Sequence, residues 1–283
     1  MEDIRNQFIR KKGAGWWVNN IQENFDEATA HLKPGIYAIE KPMGGPTMYI
    51  PVGLKDELVH FKEGVVKDIL ERTDKFFSED TTTAYTEMKI SQQVGMLLYG
   101  PHGTGKSCTA MVAMTQMVEK YGAICLDCDD VYVQNIIAAI TEIRVNNPGV
   151  PIVIFKDEFD DAIKEQEGSW LTFLDGVNSV NKCIIIGCTN NLDKIPTRIR
   201  NRKSRVKYLF EIKKLPDTVY MDFVSKKLPG SDTKVHQEFV HWAAELSLVL
   251  DQLKHAVIDY RVDGTPIERA CRQAAKIVEL PVE

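Results

Sequence analysis

The chain has 283 residues, 44% of them hydrophobic and 27% charged, with a formal net charge of −5. That length suits one large domain with a small one attached, and the acidic balance excludes a global basic field that would gather nucleic acid. The longest purely aliphatic run, Ile184-Ile185-Ile186, is too short to cross a bilayer, and the N-terminus lacks the apolar core of a signal peptide, so cytoplasmic residence without a membrane span is the expectation.

The first thirty or so residues read as helix-prone and polar apart from Trp16-Trp17-Val18. The cluster Arg10-Lys11-Lys12 before the aromatic pair suits contact with nucleic acid or a partner; the favoured expectation is an N-terminal helix that docks its tryptophans on the core and leaves its lysines in water. From Pro34 the pattern turns β-rich. Gly35 to Ile39 and Thr47 to Val52 flank the proline-bounded loop Lys41–Pro46, which predicts a hairpin with Met43 at its tip. Val65 to Phe77 has the spacing of an amphipathic helix leading to a buried strand at Val94–Tyr99.

Gly100-Pro101-His102-Gly103-Thr104-Gly105-Lys106-Ser107-Cys108 follows that strand and precedes a helical pattern from Thr109 to Tyr121. Strand, glycine-rich turn and helix is the context in which G-x-x-x-x-G-K-[ST] is a phosphate-binding loop. The glycines permit backbone angles and close approaches that a side chain blocks. The exposed amides and the positive end of the helix then surround a triphosphate. Lys106 meets the β- and γ-phosphates and the Ser107 hydroxyl is a ligand for Mg²⁺. ATP and Mg²⁺ are the cofactors this stretch predicts.

Beyond it strands and helices alternate. Ala123–Cys128, Pro151–Phe155, Lys182–Cys188 and Val206–Ile212 read as strands, and Val131–Val145 and Ser169–Val177 as helices. With Val94–Tyr99 that makes an α/β fold with a five-stranded parallel sheet covered on both faces. After Leu215-Pro216 come helix-length segments at Asp217–Leu228, Thr233–Leu246, Val249–Arg261 and Pro266–Leu280, the last with Thr265 and Glu268 placed for a capping box. The expected domains are an N-terminal extension at 1–90, a nucleotide-binding domain at 91–212 and a helical lid at 213–283. Cys125 and Cys128 form a C-x-x-C, but residues three apart in a strand point to opposite faces, which favours buried thiols over a zinc or redox site.

The strand Ile152 to Phe155 runs into Lys156-Asp157-Glu158. Asp157 is suited to hold Mg²⁺ and Glu158 to polarise a water for in-line attack. Lys156 is unusual at the end of such a strand. Thr189-Asn190 ends the strand before a basic run, and Asn190 is a candidate for holding the attacking water or sensing the γ-phosphate. In the run Arg198, Arg200, Arg202, Lys203, Arg205 and Lys207, arginines can stabilise transferred phosphoryl charge.

Gly100–Ser107, Phe155–Asp160, Phe173–Val177, Thr189-Asn190 and Arg202–Val206 resemble, in order, the motifs of the AAA+ ATPases, and of the classical AAA clade in particular. The resemblance runs from about Val94 to Ile212, and the four-helix tail is similar to that family's lid. The upstream hairpin and helix also resemble the stem of the mitochondrial Rieske-translocating AAA chaperone type, without its membrane span. The resemblance implies that Lys106 and Ser107 act on phosphate and Mg²⁺, Asp157 and Glu158 as metal-binding and catalytic acids, and Asn190 as first sensor. It makes Arg202 and Arg205 fingers that reach a neighbouring subunit's nucleotide, which requires a homo-oligomer, usually a hexameric ring. The family's pore loop matches only Tyr132-Val133, without its glycine. The expected function is a ring-forming ATPase that remodels or threads a protein substrate; the alternative is an ATP-switched module on nucleic acid, such as a loader or replication accessory.

Overall fold

The computed structural model describes residues 8–12, 15–19, 27–29, 31–41, 47–52, 64–175, 181–212, 215 and 217–275, the first three segments as backbone only. The proposed loop tip at Met43, the Gly176-Val177 end of its motif and positions 276–280 of the last helix lie outside them.

Apolar runs without alternation become the central strands. β6 (Gln93–Tyr99), β8 (Ile152–Lys156) and β9 (Cys183–Thr189) are almost wholly buried because helices cover both faces. They run parallel with β7 (Ile124–Asp127) and β10 (Tyr208–Glu211) in the order β10-β6-β9-β8-β7. This is the expected five-stranded parallel sheet, and it does not end there. β4 (Gly35–Glu40) adds parallel to β7, pairing Gly35 with Ile124 and Ala38 with Asp127. β5 (Met48–Pro51) returns antiparallel to β4, as the hairpin reading requires. The hairpin is therefore part of the main sheet.

The N-terminal expectation is corrected. Residues read as helix-prone form β1 (Phe8–Lys12), β2 (Gly15–Asn19) and β3 (Glu27–Thr29), antiparallel strands that extend the sheet from β5 in the order β5-β2-β1-β3. Trp16 pairs with Tyr49 and Trp17 with Met48. Aromatic and β-branched residues favour a pleated ladder once a partner strand is present. That partner, β5, is some thirty residues away, outside any local window.

One face of the sheet carries Leu97, Leu126, Ile154 and Ile185 under α4 (Val133–Asn146) and α5 (Phe159–Leu174). The other carries Met96, Leu98, Val153 and Ile186 under α1 (Val65–Phe77) and α3 (Lys106–Tyr121). Each such side chain, fully buried, contributes about 1.5–3 kcal/mol. α5 starts ten residues before the predicted helix and kinks at Gln166. The acidic Asp157-Glu158 turn masked its start. A short α2 (Glu79–Glu87), capped by Ser78 on the Thr81 amide, links α1 to β6 and has no strong apolar stripe in the sequence.

α6 (Thr197–Arg200) lies in the basic segment. The C-terminal helices α7 (Asp217–Lys227), α8 (Thr233–Glu245), α9 (Leu250–Asp263) and α10 (Ile267–Ala275) enclose their own core around Tyr220, Phe239, Leu253 and Cys271. Tyr220 donates to Leu248 O at 2.7 Å, and Phe239 meets Tyr260 edge-on at 5.4 Å. Val66 of α1 and Val112 of α3 join that core, which seats the helices on the sheet domain. Glu268 accepts from Arg272 at 2.9 Å.

Candidate active site

The site forms where β6, β8 and β9 end. Gly100 has φ +152°, and its amide donates to Thr189 O at 3.3 Å. A Cβ there would lie 2.0 Å from Ile212 O, so only glycine lets the loop pass. Gly105, with φ +88°, turns the chain into α3. A Cβ on Gly103 would lie 2.8 Å from Val249, so the C-terminal helices touch the loop. Thr104 donates to Pro101 O at 2.9 Å and tightens the turn. The buried Lys106 ammonium donates to Gly100 O at 2.9 Å and Pro101 O at 2.7 Å. Burial pulls its pKa below the usual lysine value, against the nearby Cys188, Asp157 and Asp160. His102 is exposed, while Cys108 is half-buried and its thiol is pushed up to about 11 by burial. A cradle of positive-φ glycines at a helix N-terminus, with a lysine inside it, fits a triphosphate.

Across the cradle, Ser107 Oγ donates to Asp157 Oδ2 at 2.5 Å. A hydroxyl and a carboxylate held together are hard oxygen donors of the kind Mg²⁺ takes alongside phosphate oxygens. The other Asp157 oxygen accepts from the Glu158 amide at 2.9 Å, and the Asp157 amide donates to Asp129 Oδ1 at 3.2 Å. Glu158 is exposed at the N-cap of α5 with φ +43°, a left-handed conformation that costs a non-glycine residue of order 1–3 kcal/mol. Its neighbours enforce it: Glu158 O takes the amides of Asp161 and Ala162, and Phe159 is pressed on Gly187.

Lys156 is buried and donates to Cys128 O at 3.1 Å. It floors a cavity of about 330 Å³ walled by Asp130, Tyr132, Glu158, Asp161 and Glu165. Asp127 carries a buried Oδ1 with no hydrogen-bond partner. Burial, and then the neighbouring Asp129, push its carboxyl up to about 6.

Asn190 follows β9, half-buried, and its side chain makes no hydrogen bond among the described residues. The two expected fingers differ sharply. Arg202 is exposed and forms no ion pair among the described residues. Arg205 is only 7% exposed; it forks onto Asp175 at 2.6 and 2.7 Å and donates to Arg198 O at 2.5 Å. That pairing holds Asp175 below the usual carboxylate range. Elsewhere in the run Arg198 pairs with Glu167, and Arg200 with Asp193 at 2.9 Å. Tyr132 stands 62% exposed at the N-cap of α4, bordering the cavity above Lys156. Cys125 and Cys128 point into opposite cores, as strand geometry demands.

Sequence reasoning gave no role to Asp129, Asp160 or Thr189. Asp160 and Thr189 stood inside the quoted motifs, but nothing local signals that a buried carboxylate and a strand-end hydroxyl meet at 2.7 Å.

The family model described as "ATPase family associated with various cellular activities (AAA)" matches residues 96–214. The chain is 30% identical over 129 residues to the ATPase family gene 2 protein of Saccharomyces cerevisiae, covering 41% of this chain and 16% of that protein. It is 28% identical over 151 residues to Protein SAV of Sulfolobus acidocaldarius, covering 47% and 19%. With ATPase family AAA domain-containing protein 2 of Pongo abelii it shares 26% identity over 250 residues, or 79% of this chain and 20% of the relative. The chain thus spans a fifth or less of the length of these relatives. Among the described residues, no helix is long and apolar enough to cross a membrane.

Proposed function

Since this chain belongs to the AAA+ ATPase superfamily, we propose that it hydrolyses ATP at the P-loop and, as a homo-oligomeric ring, remodels or threads a protein substrate. The observation that carries the chemistry is the closure of Ser107 onto Asp157 across the glycine cradle, with Glu158 next in the chain. Mg²⁺ held by Ser107 and Asp157 would neutralise charge between the β- and γ-phosphates.

The chain's own residues do the rest. Lys106 exchanges two loop carbonyls for phosphate oxygens. Glu158 accepts a proton from the attacking water, the water oxygen bonds to the γ-phosphorus, and the bridging bond to the β-phosphate breaks to release ADP. Asn190, with an unengaged amide beside the strand end, orients that water. Arg202 is free to reach a neighbour's nucleotide, whereas Arg205 in this reading seats the Arg202 loop on Asp175. Buried free thiols at Cys125, Cys128, Cys183, Cys188 and Cys271 suit a reducing, cytoplasmic setting.

Glu158→Gln should keep nucleotide binding and lose most turnover, and Lys106→Ala should lose the thermal shift that ATP gives the parent. The ring is tested by mixing Glu158→Gln with Arg202→Ala. Mixed interfaces that pair an intact base with an intact finger should regain partial activity, against a loss on the order of 10³-fold in the finger variant alone. A mixture as inactive as its components, with mixed assemblies seen by light scattering, would remove Arg202 from the site.

A second reading has one observation behind it. Arg10 stands opposite Trp17, and Lys11 opposite Trp16, in the β1–β2 register, so cations and aromatic residues interleave on one ribbon. Steeply salt-dependent binding of single-stranded DNA would favour that nucleic-acid reading over a protein substrate.

A further inference from the structure

We propose that Asp160 is a positioning residue for ATP hydrolysis, acting through Thr189 to hold Asn190 in register with the P-loop and Glu158. The proposal rests on the reading of Asn190 and Glu158 given above.

Asp160 is the second residue of α5 and only 6% exposed. An isolated buried carboxylate is costly, so its partners matter. Oδ1 accepts from the Thr189 hydroxyl at 2.7 Å, and Oδ2 lies 3.5 Å from Lys194 Nζ, in the turn after Asn190. Thr189 is itself a junction. Its carbonyl accepts from the Gly100 amide at 3.3 Å, and its hydroxyl oxygen accepts from the Asn191 amide at 3.1 Å. Both backbone neighbours of Asn190 are thereby pinned, while its own amide stays unengaged. One residue earlier, Phe159 lies on Gly187 so closely that a Cβ there would be 2.7 Å from the ring.

Two successive residues of α5 therefore lock onto β9, one by packing and one by a charge-assisted hydrogen bond. Glu158 immediately precedes the pair and Asn190 immediately follows Thr189, so this lock sets their separation. Lys194 ties the same carboxylate to the turn leading to α6 and the arginine loop.

The test measures turnover and ATP affinity at a temperature well below unfolding, for Asp160→Ala, Thr189→Val and Thr189→Ser in parent and Asn190→Ala backgrounds. Thr189→Val removes only the hydroxyl and keeps the shape, so it reports even where Asp160→Ala fails to fold. Asp160→Ala and Thr189→Val should each lower kcat on the order of 10²-fold, the scale for a misplaced catalytic group, with ATP affinity within about twofold. Thr189→Ser should recover most of that loss. In the Asn190→Ala background the same changes should add little, because they act through Asn190. Full turnover in Thr189→Val, or losses that multiply with Asn190→Ala, would overturn the proposal and leave Asp160 a stability residue. Parent turnover in Asn190→Ala alone would instead overturn the reading of the site on which the proposal rests.

Discussion

Gly187→Ala is a single-methyl perturbation whose sign the structure reverses. In an ordinary strand, replacing glycine by alanine gains roughly 0.5–1 kcal/mol by restricting the unfolded chain. Here the new Cβ would stand 2.7 and 2.8 Å from two Phe159 ring carbons and 3.2 Å from Leu97 Cδ1. The leucine tip can yield. The ring cannot, because it is 1% exposed and packs edge-on against Trp170 at 4.9 Å. Overpacking of a tight core costs about 1–3 kcal/mol; set against the backbone gain, the net effect expected is a destabilisation of about 1 kcal/mol. At about 2–4 °C per kcal/mol for a domain of this size, Tm should fall by roughly 2–4 °C. Thermal unfolding without nucleotide measures it, and turnover at low temperature should fall as well, since displacing Phe159 moves Glu158. Adding Phe159→Leu should return part of the stability. A Tm equal to or above the parent's would refute the packing argument. A lower Tm with unchanged turnover would show that the seat of α5 does not control Glu158.

Two further perturbations follow from charge burial. Asp127 has a native carboxyl pKa of about 6, above the unfolded value of 3.8, so the native state keeps its proton longer. Stability should then fall as pH rises from about 4 to 6, and Asp127→Asn should stabilise the metal-free protein at pH 7 by about 1–2 kcal/mol after solvent screening, with no difference below pH 4; urea unfolding in EDTA across that range checks it, and a pH-independent difference would contradict it. Lys156 has one carbonyl partner and no carboxylate within ion-pair distance among the described residues. Lys156→Met should therefore leave Tm unchanged or raise it, since an apolar isostere avoids burying a charge, and a loss above about 2 kcal/mol would show that the ammonium is needed.

Legibility followed how local each determinant is. The phosphate loop was readable because its glycines answer to backbone angles within a few residues, and Gly103 and Gly105 do take φ +72° and +88°. The β1–β2 ribbon was not readable, because Trp16 and Trp17 become strand only against Tyr49 and Met48. Nor could spacing separate Arg202 from Arg205. Their difference comes from Asp175, thirty residues before Arg205, whose carboxylate forks onto one guanidinium and leaves the other in solvent. Asp160 illustrates the same limit: its residue type was visible, and its partner on β9 was not.

The parallel seam between β4 and β7 has a mechanical meaning. Gly35 to Ala38 lie alongside Ile124 to Asp127 in one ladder, and β7 is laddered in turn to β8, whose end delivers Asp157 and Glu158. A pull along β4 loads those cross-strand bonds together, in shear, whereas a pull across the strand would peel them one at a time. The antiparallel ribbon outside β4 is thus joined to the edge that carries Asp157 and Glu158 by an unbroken succession of paired strands. Load on the ribbon would reach Asp157 and Glu158, the proposed hydrolytic carboxylates, through these ladders.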